Sequence, residues 1–267
     1  MPASNVQAFN TANWNLDNSF LVQLQNPGEA YEAACPFYVI DHQEGVVVVD
    51  TGLSHEMLDD PADYGVHGAA FMEDFLPYIE YDESMHPRAQ LESAGYAPDD
   101  VDYLLMTHLH SDHAGHVDLF PDAEVLVRRE ELRHAFWPVP IQDLFYLDGD
   151  FVPLRGSEFD VTEVTGEYDV FGDGSVVTFP TPGHSPGHQS VQVELPDAGS
   201  VILAVDAANH REGYEGELAA SFAHSLSDSV ESIQAIKRRA ELADADVYVH
   251  HDPDDIGSLP EPPEALE

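Results

Sequence analysis

Ten residues, Thr107-His108-Leu109-His110-Ser111-Asp112-His113-Ala114-Gly115-His116, restrict the fold of this chain more than any other stretch. They set four imidazoles and a carboxylate directly after the apolar run Tyr103-Leu104-Leu105-Met106. A run of that kind reads as a buried strand, so the cluster sits where a strand opens into a loop and then a helix. His108 and His110 are two apart and share one side if the strand geometry persists. Asp112 and His113 lie beyond the strand end, where the turning chain can aim them at a second point nearby. Imidazole with carboxylate suits zinc and its first-row neighbours, and a metal is the simplest reason to gather these groups. A loop rich in histidine by chance is the alternative, and matching ligand types further along the chain argue against it.

The pattern HxHxDH resembles the signature of the metallo-β-lactamase fold superfamily. That resemblance implies an αββα sandwich with one or two metals at one edge of its two sheets. It also requires a later His, an Asp and a final His, each at a strand end. The segment Thr181-Pro182-Gly183-His184-Ser185-Pro186-Gly187-His188 matches the superfamily, with His184 at the place of the third ligand of the first metal. His188 is expected in a supporting role. The run Val201 to Val205 delivers Asp206 to a strand end, the place of the family's bridging carboxylate. Val247-Tyr248-Val249 leads into His250-His251-Asp252, and the family's closing motif has histidine immediately before aspartate, which selects His251 over His250. The stretch PFYVIDHQEGVVVVDTG resembles the opening of the N-acyl-homoserine lactonase branch. In that branch the aspartate of DTG supports the metal site from behind, a role that falls on Asp50; a helix cap or turn is its plainer alternative.

Together these residues imply a dinuclear site. His108, His110 and His184 hold the first metal, Asp112, His113 and His251 the second, and Asp206 bridges them. Zinc is the expected ion, and iron, manganese or cobalt suit the same N/O donors. Two ions held in this way activate a water near neutral pH, so hydrolysis of a carbonyl or phosphoryl ester is expected, with Asp112 accepting and returning a proton. The lactonase resemblance implies an acylated homoserine lactone or a similar small-molecule lactone or ester as substrate. The branch usually carries a tyrosine three residues after the bridging aspartate, to bond the substrate carbonyl. Asn209 stands there, and its amide can donate a similar bond; Tyr214 lies close in sequence. A glyoxalase-II-type thioesterase shares the ligands but needs a basic substrate site, and only Lys237, Arg238 and Arg239 cluster here. A phosphodiesterase of the same fold is disfavoured by charge. A non-catalytic metal-binding module is disfavoured because no ligand is missing.

Charge fixes the setting rather than the fold. Nine Lys and Arg stand against 51 Asp and Glu, a formal charge of −42, and Lys237 is the only lysine. At low ionic strength such a surface repels itself. At molar salt the Debye length falls to roughly 3 Å and the repulsion is largely screened. The composition therefore fits an intracellular protein of a salt-accumulating halophile. The acids alternate with periodic apolar runs, which separates the chain from disordered acidic proteins. Neither nucleic acid nor an anionic membrane finds a basic patch to bind. Cys35 is alone and reads as a small buried hydrophobe. Neither a signal peptide nor a membrane-spanning run is visible, so a cytoplasmic location is expected. A homodimer is compatible with the chain.

The element reading follows the apolar runs. Strands are expected at Phe20 to Val22, Phe37 to Ile40 and Val46 to Val49, with a hairpin turn at Gly45. Residues 53–86 read as an irregular lid or substrate wall, with Phe71 to Ile79 adding aromatic surface and His55, His67 and His86 as ordinary histidines. A helix is expected at Pro87 to Ala94, stopped by Gly95. A strand at Ala123 to Val127 and a helix at Arg128 to Phe136 come next, and Trp137, Pro138, Phe145 and Tyr146 could line a pocket. Strands follow at Tyr168 to Phe171, Val176 to Phe179, Val191 to Leu195 and Val201 to Val205, then a helix at Ser227 to Leu242. The acidic, proline-bearing tail from about residue 253 is expected to be a solvated end. With neither repeats nor a linker, residues 1–267 read as a single αββα domain.

Overall fold

Alternating burial sorts the strands into two sheets in the computed structural model. It describes residues 2–267, with the backbone alone at Val66, Ala69, Phe71, Met72 and Glu73. The first sheet contains β1 (Asn5–Asp17), β2 (Ala30–His42), β3 (Gly45–Val49), β4 (Ile79–Glu80), β5 (Tyr103–Leu105), β6 (Glu124–Arg128) and β7 (Asp160–Val164). Their order across it is β4-β1-β2-β3-β5-β6-β7. The second contains β8 (Tyr168–Asp169), β9 (Val176–Pro180), β10 (Gln189–Leu195), β11 (Gly199–Val205) and β12 (Asp246–Val249), ordered β12-β11-β10-β9-β8.

The period-two rule for strand side chains then builds the layers. Tyr38, Ile40, Val47, Val49 and Leu105 face Val191, Val193, Val201, Leu203 and Val205, forming the core between the sheets. The intervening Val39, Val48 and Leu104 pack on the other side with Leu91, Phe120 and Ala135. On the far face of the second sheet, Phe179, Ile202 and Ala204 meet Ile236 and Ala240 of the helix Leu226–Ala243. The result is the αββα sandwich expected from the sequence. Among the described residues no helix is long and apolar enough to cross a membrane.

Several local expectations change. Phe20-Leu21-Val22 is not a strand: Asn18–Leu21 forms a helical turn because Asp17 caps it, accepting from the Ser19 amide. Residues 53–86 are largely helical, with helices His55–Asp59 and Gly65–Asp74. The Ser54 hydroxyl caps the first of these on the Met57 amide. The side chain of Phe71, part of the expected aromatic surface, lies outside the described residues. Trp137 is 88% exposed. The tail is not a free end either. Pro253–Ser258 is helical, Leu259 is buried, and Val6 and Leu266 exchange backbone hydrogen bonds of 2.9 and 3.0 Å. Most of its acids still face solvent, Asp255 being the one that turns inward to Arg211 and the Val249 amide, and its backbone closes the edge beside β1. The polar-looking β1 and the short β7 carry no apolar run long enough to announce them.

Candidate metal centre

Parallel pairing of β3 with β5 brings two strand ends together, and the chemistry starts there. Asp50 leaves β3 with a φ of +59°, and Val205, just before Asp206, leaves β11 at +51°. A left-handed β-branched residue is strained, and strain of this kind persists where the surroundings impose it. Both carboxylates therefore leave their strands by a sharp turn into one buried site.

Seven residues proposed from sequence meet there. His108 Nε2 lies 3.1 Å from His110 Nδ1, and His184 Nε2 lies 2.9 Å from the same atom. Three imidazoles thus aim their nitrogens at one point. Across the site, Asp206 stands between the two sets. Its carboxylate is 3.3 Å from His184 Nε2, 3.5 Å from His113 Nε2 and 3.2 Å from His251 Nε2. Asp112 Oδ2 completes the second set, 3.8 Å from His113 Nε2 and 3.6 Å from His251 Nε2.

The outer nitrogens of the second set are already committed. His113 Nδ1 donates to Asp50 over 2.9 Å, and His251 Nδ1 donates to the Ala34 carbonyl over 2.6 Å. Each proton is thereby fixed on the outer nitrogen, leaving a lone pair on Nε2 directed inward, the arrangement of metal-ligating histidine. His113 Nε2 and Asp206 Oδ1 are buried without a hydrogen bond. Buried polar atoms left in this state are costly, and a cation between them satisfies both. The donor set therefore fits two divalent ions of the zinc type.

Electrostatics agree. Burial, then the neighbouring imidazoles, holds His108 and His110 well below the usual histidine range, so both rings stay neutral and keep a lone pair to offer. Burial opposes ionisation of Asp206, but His251, His113 and His184 overcome it and keep its pKa well below the carboxylate range. Cys35 comes within ligand reach of Asp112 and His251, yet burial pushes its thiol far up and keeps it protonated.

His188 supports the site as expected: its Nε2 accepts the Asp206 amide over 3.1 Å. His250 stacks on His113 with ring centroids 4.5 Å apart, behind the centre. Its closeness puts it in the same donor cluster as His113, Asp206 and His251. The inward nitrogen belongs to His251, however, so His250 reads as packing.

Glu131 and Gln142 escaped the sequence reading. Glu131 is fully buried in the helix Arg129–Ala135 and gathers four donors. One oxygen accepts from Leu109 N and Tyr146 Oη, the other from Ser185 Oγ and Gly187 N. It thus ties the loop of His108 and His110 to the loop of His184. Burial still pushes its pKa up, although all four donors pull it down. Gly187 must be glycine for this approach, since a Cβ would stand 2.1 Å from the Glu131 amide. Gln142 donates to the His184 carbonyl and accepts from His134 Nε2. A buried acid on an amphipathic helix was the sole signal, and it names no partner.

Above the metal-type donors lies a small, partly enclosed cavity. Trp14, Leu16, Phe20, Leu21, Phe145 and Phe222 make its apolar wall, and Asp112, Asp206 and Asn209 its polar floor. Asn209 Nδ2 donates to Asp206 over 3.1 Å. Tyr214 is elsewhere, packed with Ala207 and Ile236 under the charges of Arg211 and Lys237.

Comparison with known proteins agrees with this geometry. The profile described as the metallo-beta-lactamase superfamily matches residues 31–251. The N-acyl homoserine lactonase AttM of Rhizobium radiobacter is 35% identical over 247 residues, 90% of each chain. The N-acyl homoserine lactonase AiiA of Bacillus thuringiensis subsp. kurstaki is 29% identical over 239 residues, 89% of this chain and 88% of its own. A solved N-acyl homoserine lactone hydrolase, with the product N-hexanoyl-L-homoserine at its catalytic metal centre, superposes with a TM-score of 0.85. It is 26% identical, with 100% of both chains covered.

Proposed function

Because the chain belongs to the metallo-β-lactamase superfamily, we propose that it hydrolyses the lactone ring of an N-acyl homoserine lactone or a closely similar cyclic ester. The observation that carries this reading is the meeting of both ligand sets on Asp206 at the floor of an apolar cavity.

His108, His110 and His184 would hold one divalent ion, Asp112, His113 and His251 the other, and Asp206 both. Zinc is the proposed metal, and iron, manganese or cobalt share its taste for these donors. Bound there, such a pair supplies an activated water near neutral pH and Lewis-acid contacts for the carbonyl and leaving oxygens.

The chain's own residues do the rest. Asp112 is the most accessible carboxylate of the set, its side chain 14% exposed. It holds the proton given up by the attacking water and returns it to the departing alkoxide, which stays tethered in a lactone. Asn209 has two amide protons; one goes to Asp206, and the other serves the substrate carbonyl. Phe20, Phe145 and Phe222 bury the acyl chain and exclude water from the reacting ester.

The cavity lining also favours a neutral substrate. It contains neither Lys nor Arg, whereas a glutathione thioester or a phosphodiester would need cations. The basic cluster is spent elsewhere: Lys237 binds Glu217 and the Glu215 carbonyl, and Arg239 binds Glu167. The −42 charge supports a salt-rich cytoplasm as the working environment.

The test is acid release from a series of acyl-homoserine lactones beside S-lactoylglutathione and a phosphodiester, all with metal-loaded protein in molar KCl. The lactones should turn over at least an order of magnitude faster. Preference for either competitor refutes the lactonase reading and leaves the metal centre intact.

A further inference from the structure

A second group of metal-type donors lies outside this centre. Glu56, His86 and His116 hold ligand atoms within 4.8 Å of one another. Three segments distant in sequence supply them. Glu56 comes from the helix His55–Asp59, His86 caps the helix Pro87–Ala94, and His116 follows the motif turn Ser111–Ala114. Glu56 and His86 border an open surface groove with His55 and Tyr81.

His116 is the informative member. It is 1% exposed, and its Nε2 lies 2.9 Å from the Leu53 carbonyl. The His55 amide also points at Nε2 from 3.4 Å, but the shorter contact meets a carbonyl oxygen and can only be donated, so it places the ring proton on Nε2 and leaves a lone pair on Nδ1. Nδ1 is buried and makes no hydrogen bond, although Glu56 Oε2 stands 3.2 Å away. Two lone pairs so close repel unless a cation lies between them, either a proton or a metal. An imidazole anchored through its far nitrogen to a backbone carbonyl is the usual support of a metal ligand. On the other oxygen, Glu56 Oε1 receives His86 Nε2 at 3.1 Å.

We propose that Glu56, His86 and His116 form an accessory binding site for a first-row divalent cation. Two imidazoles and one carboxylate select zinc, cobalt or nickel over magnesium or calcium. Water from the groove fills the remaining coordination. His86 Nδ1 accepts the Arg88 amide, so binding at Nε2 moves the ring proton to Nδ1 and releases that cap. The ion joins three segments of the wall outside the active site. It also reaches the centre through one hydroxyl, since Thr51 Oγ1 accepts the His116 amide and donates to the His113 carbonyl.

The experiment counts metal in full-length protein dialysed against Co²⁺ in molar KCl, where loose binding to surface acids is suppressed. Elemental analysis is read together with the visible Co²⁺ spectrum. Wild type should hold about one equivalent more than Glu56→Gln and than His86→Gln, and each variant should lose one spectral component. The side chains of Glu56 and His86 are 57% and 22% exposed, so both variants should fold. The comparison is between wild type and variant, so it stands however many ions the main centre binds. Equal metal content in wild type and Glu56→Gln overturns the proposal and leaves a proton as the bridge between His116 and Glu56.

Discussion

Asp50 Oδ2 and His113 Nδ1 lie 2.9 Å apart, with neither side chain exposed to solvent. The same carboxylate accepts the Thr107 amide at 2.8 Å and the Thr107 hydroxyl at 2.7 Å. All its bonds are to donors, so it can orient His113 only as a carboxylate that accepts. The strained exit from β3 is what brings it under the motif loop.

Asp50→Asn should therefore weaken metal binding without emptying the cavity of side chains. The amide turns one acceptor into a donor, facing either Thr107 or His113. Supporting partners of this kind are worth about 10–100-fold in metal affinity. Competition with a chelator measures it, and wild-type affinity in this variant removes the orienting role.

Glu131→Gln tests the tie between the two histidine loops. An amide leaves two of the four donors facing an N–H group. Unsatisfied buried groups cost about 1–3 kcal/mol each, so the melting temperature should drop by several degrees. The activity of the folded fraction should fall as well, because Leu109 and Ser185 neighbour the ligands. A variant with unchanged stability and rate would show that the loops hold their positions without it.

The donors that meet at this centre were legible in sequence for a physical reason. Each stands at the end of an apolar strand or inside a short motif, so local pattern predicts its place. Glu131 and Gln142 were not, because their partners are set by tertiary approach: Leu109 lies 22 residues away from the first and His184 lies 42 from the second. Phe20-Leu21-Val22 misled because three apolar residues suit a strand or a helical turn equally, and the Asp17 cap decided it. The His86 and His116 pairing was invisible for the same reason as Glu131.

His188 offers a pH test in metal-free protein. Burial lowers its pKa to about 3, far below the ordinary histidine value of about 6.5. Below about pH 6.5 the unfolded chain takes up this proton and the folded chain does not. The neutral ring's stabilising contribution is complete above that pH and is lost as pH falls toward 3. Relative to His188→Gln, wild type should lose up to about 1.4 kcal/mol per pH unit in this window. Denaturant melts of both proteins at pH 7, 6 and 5 measure the difference, and a constant gap contradicts the assignment.

Salt should act on the whole molecule. With a formal charge of −42, raising KCl from 0.15 M to 1 M shortens the Debye length from about 8 Å to about 3 Å. Cooperative folding is expected at molar salt and loss of structure in dilute buffer, followed by circular dichroism. Equal melting temperatures at both extremes would exclude a halophilic origin for the charge.

Acyl-chain preference follows from the cavity over the metal-type donors. Its wall is largely aromatic and apolar, so each added CH₂ gains contact until the space is filled. Burial is worth about 0.8 kcal/mol per CH₂, close to fourfold in KM for each step. Short chains should therefore show KM falling with length, followed by a plateau. Phe222→Ala removes wall rather than floor, so it should shift the plateau to longer chains and leave kcat for short ones nearly unchanged. Asn209→Ala removes the amide beside Asp206, so it should lower kcat at every length with little change in KM. If both variants instead altered KM alone, Asn209 would belong to the wall, and the amide donor to the substrate carbonyl would have to be sought elsewhere on the cavity floor.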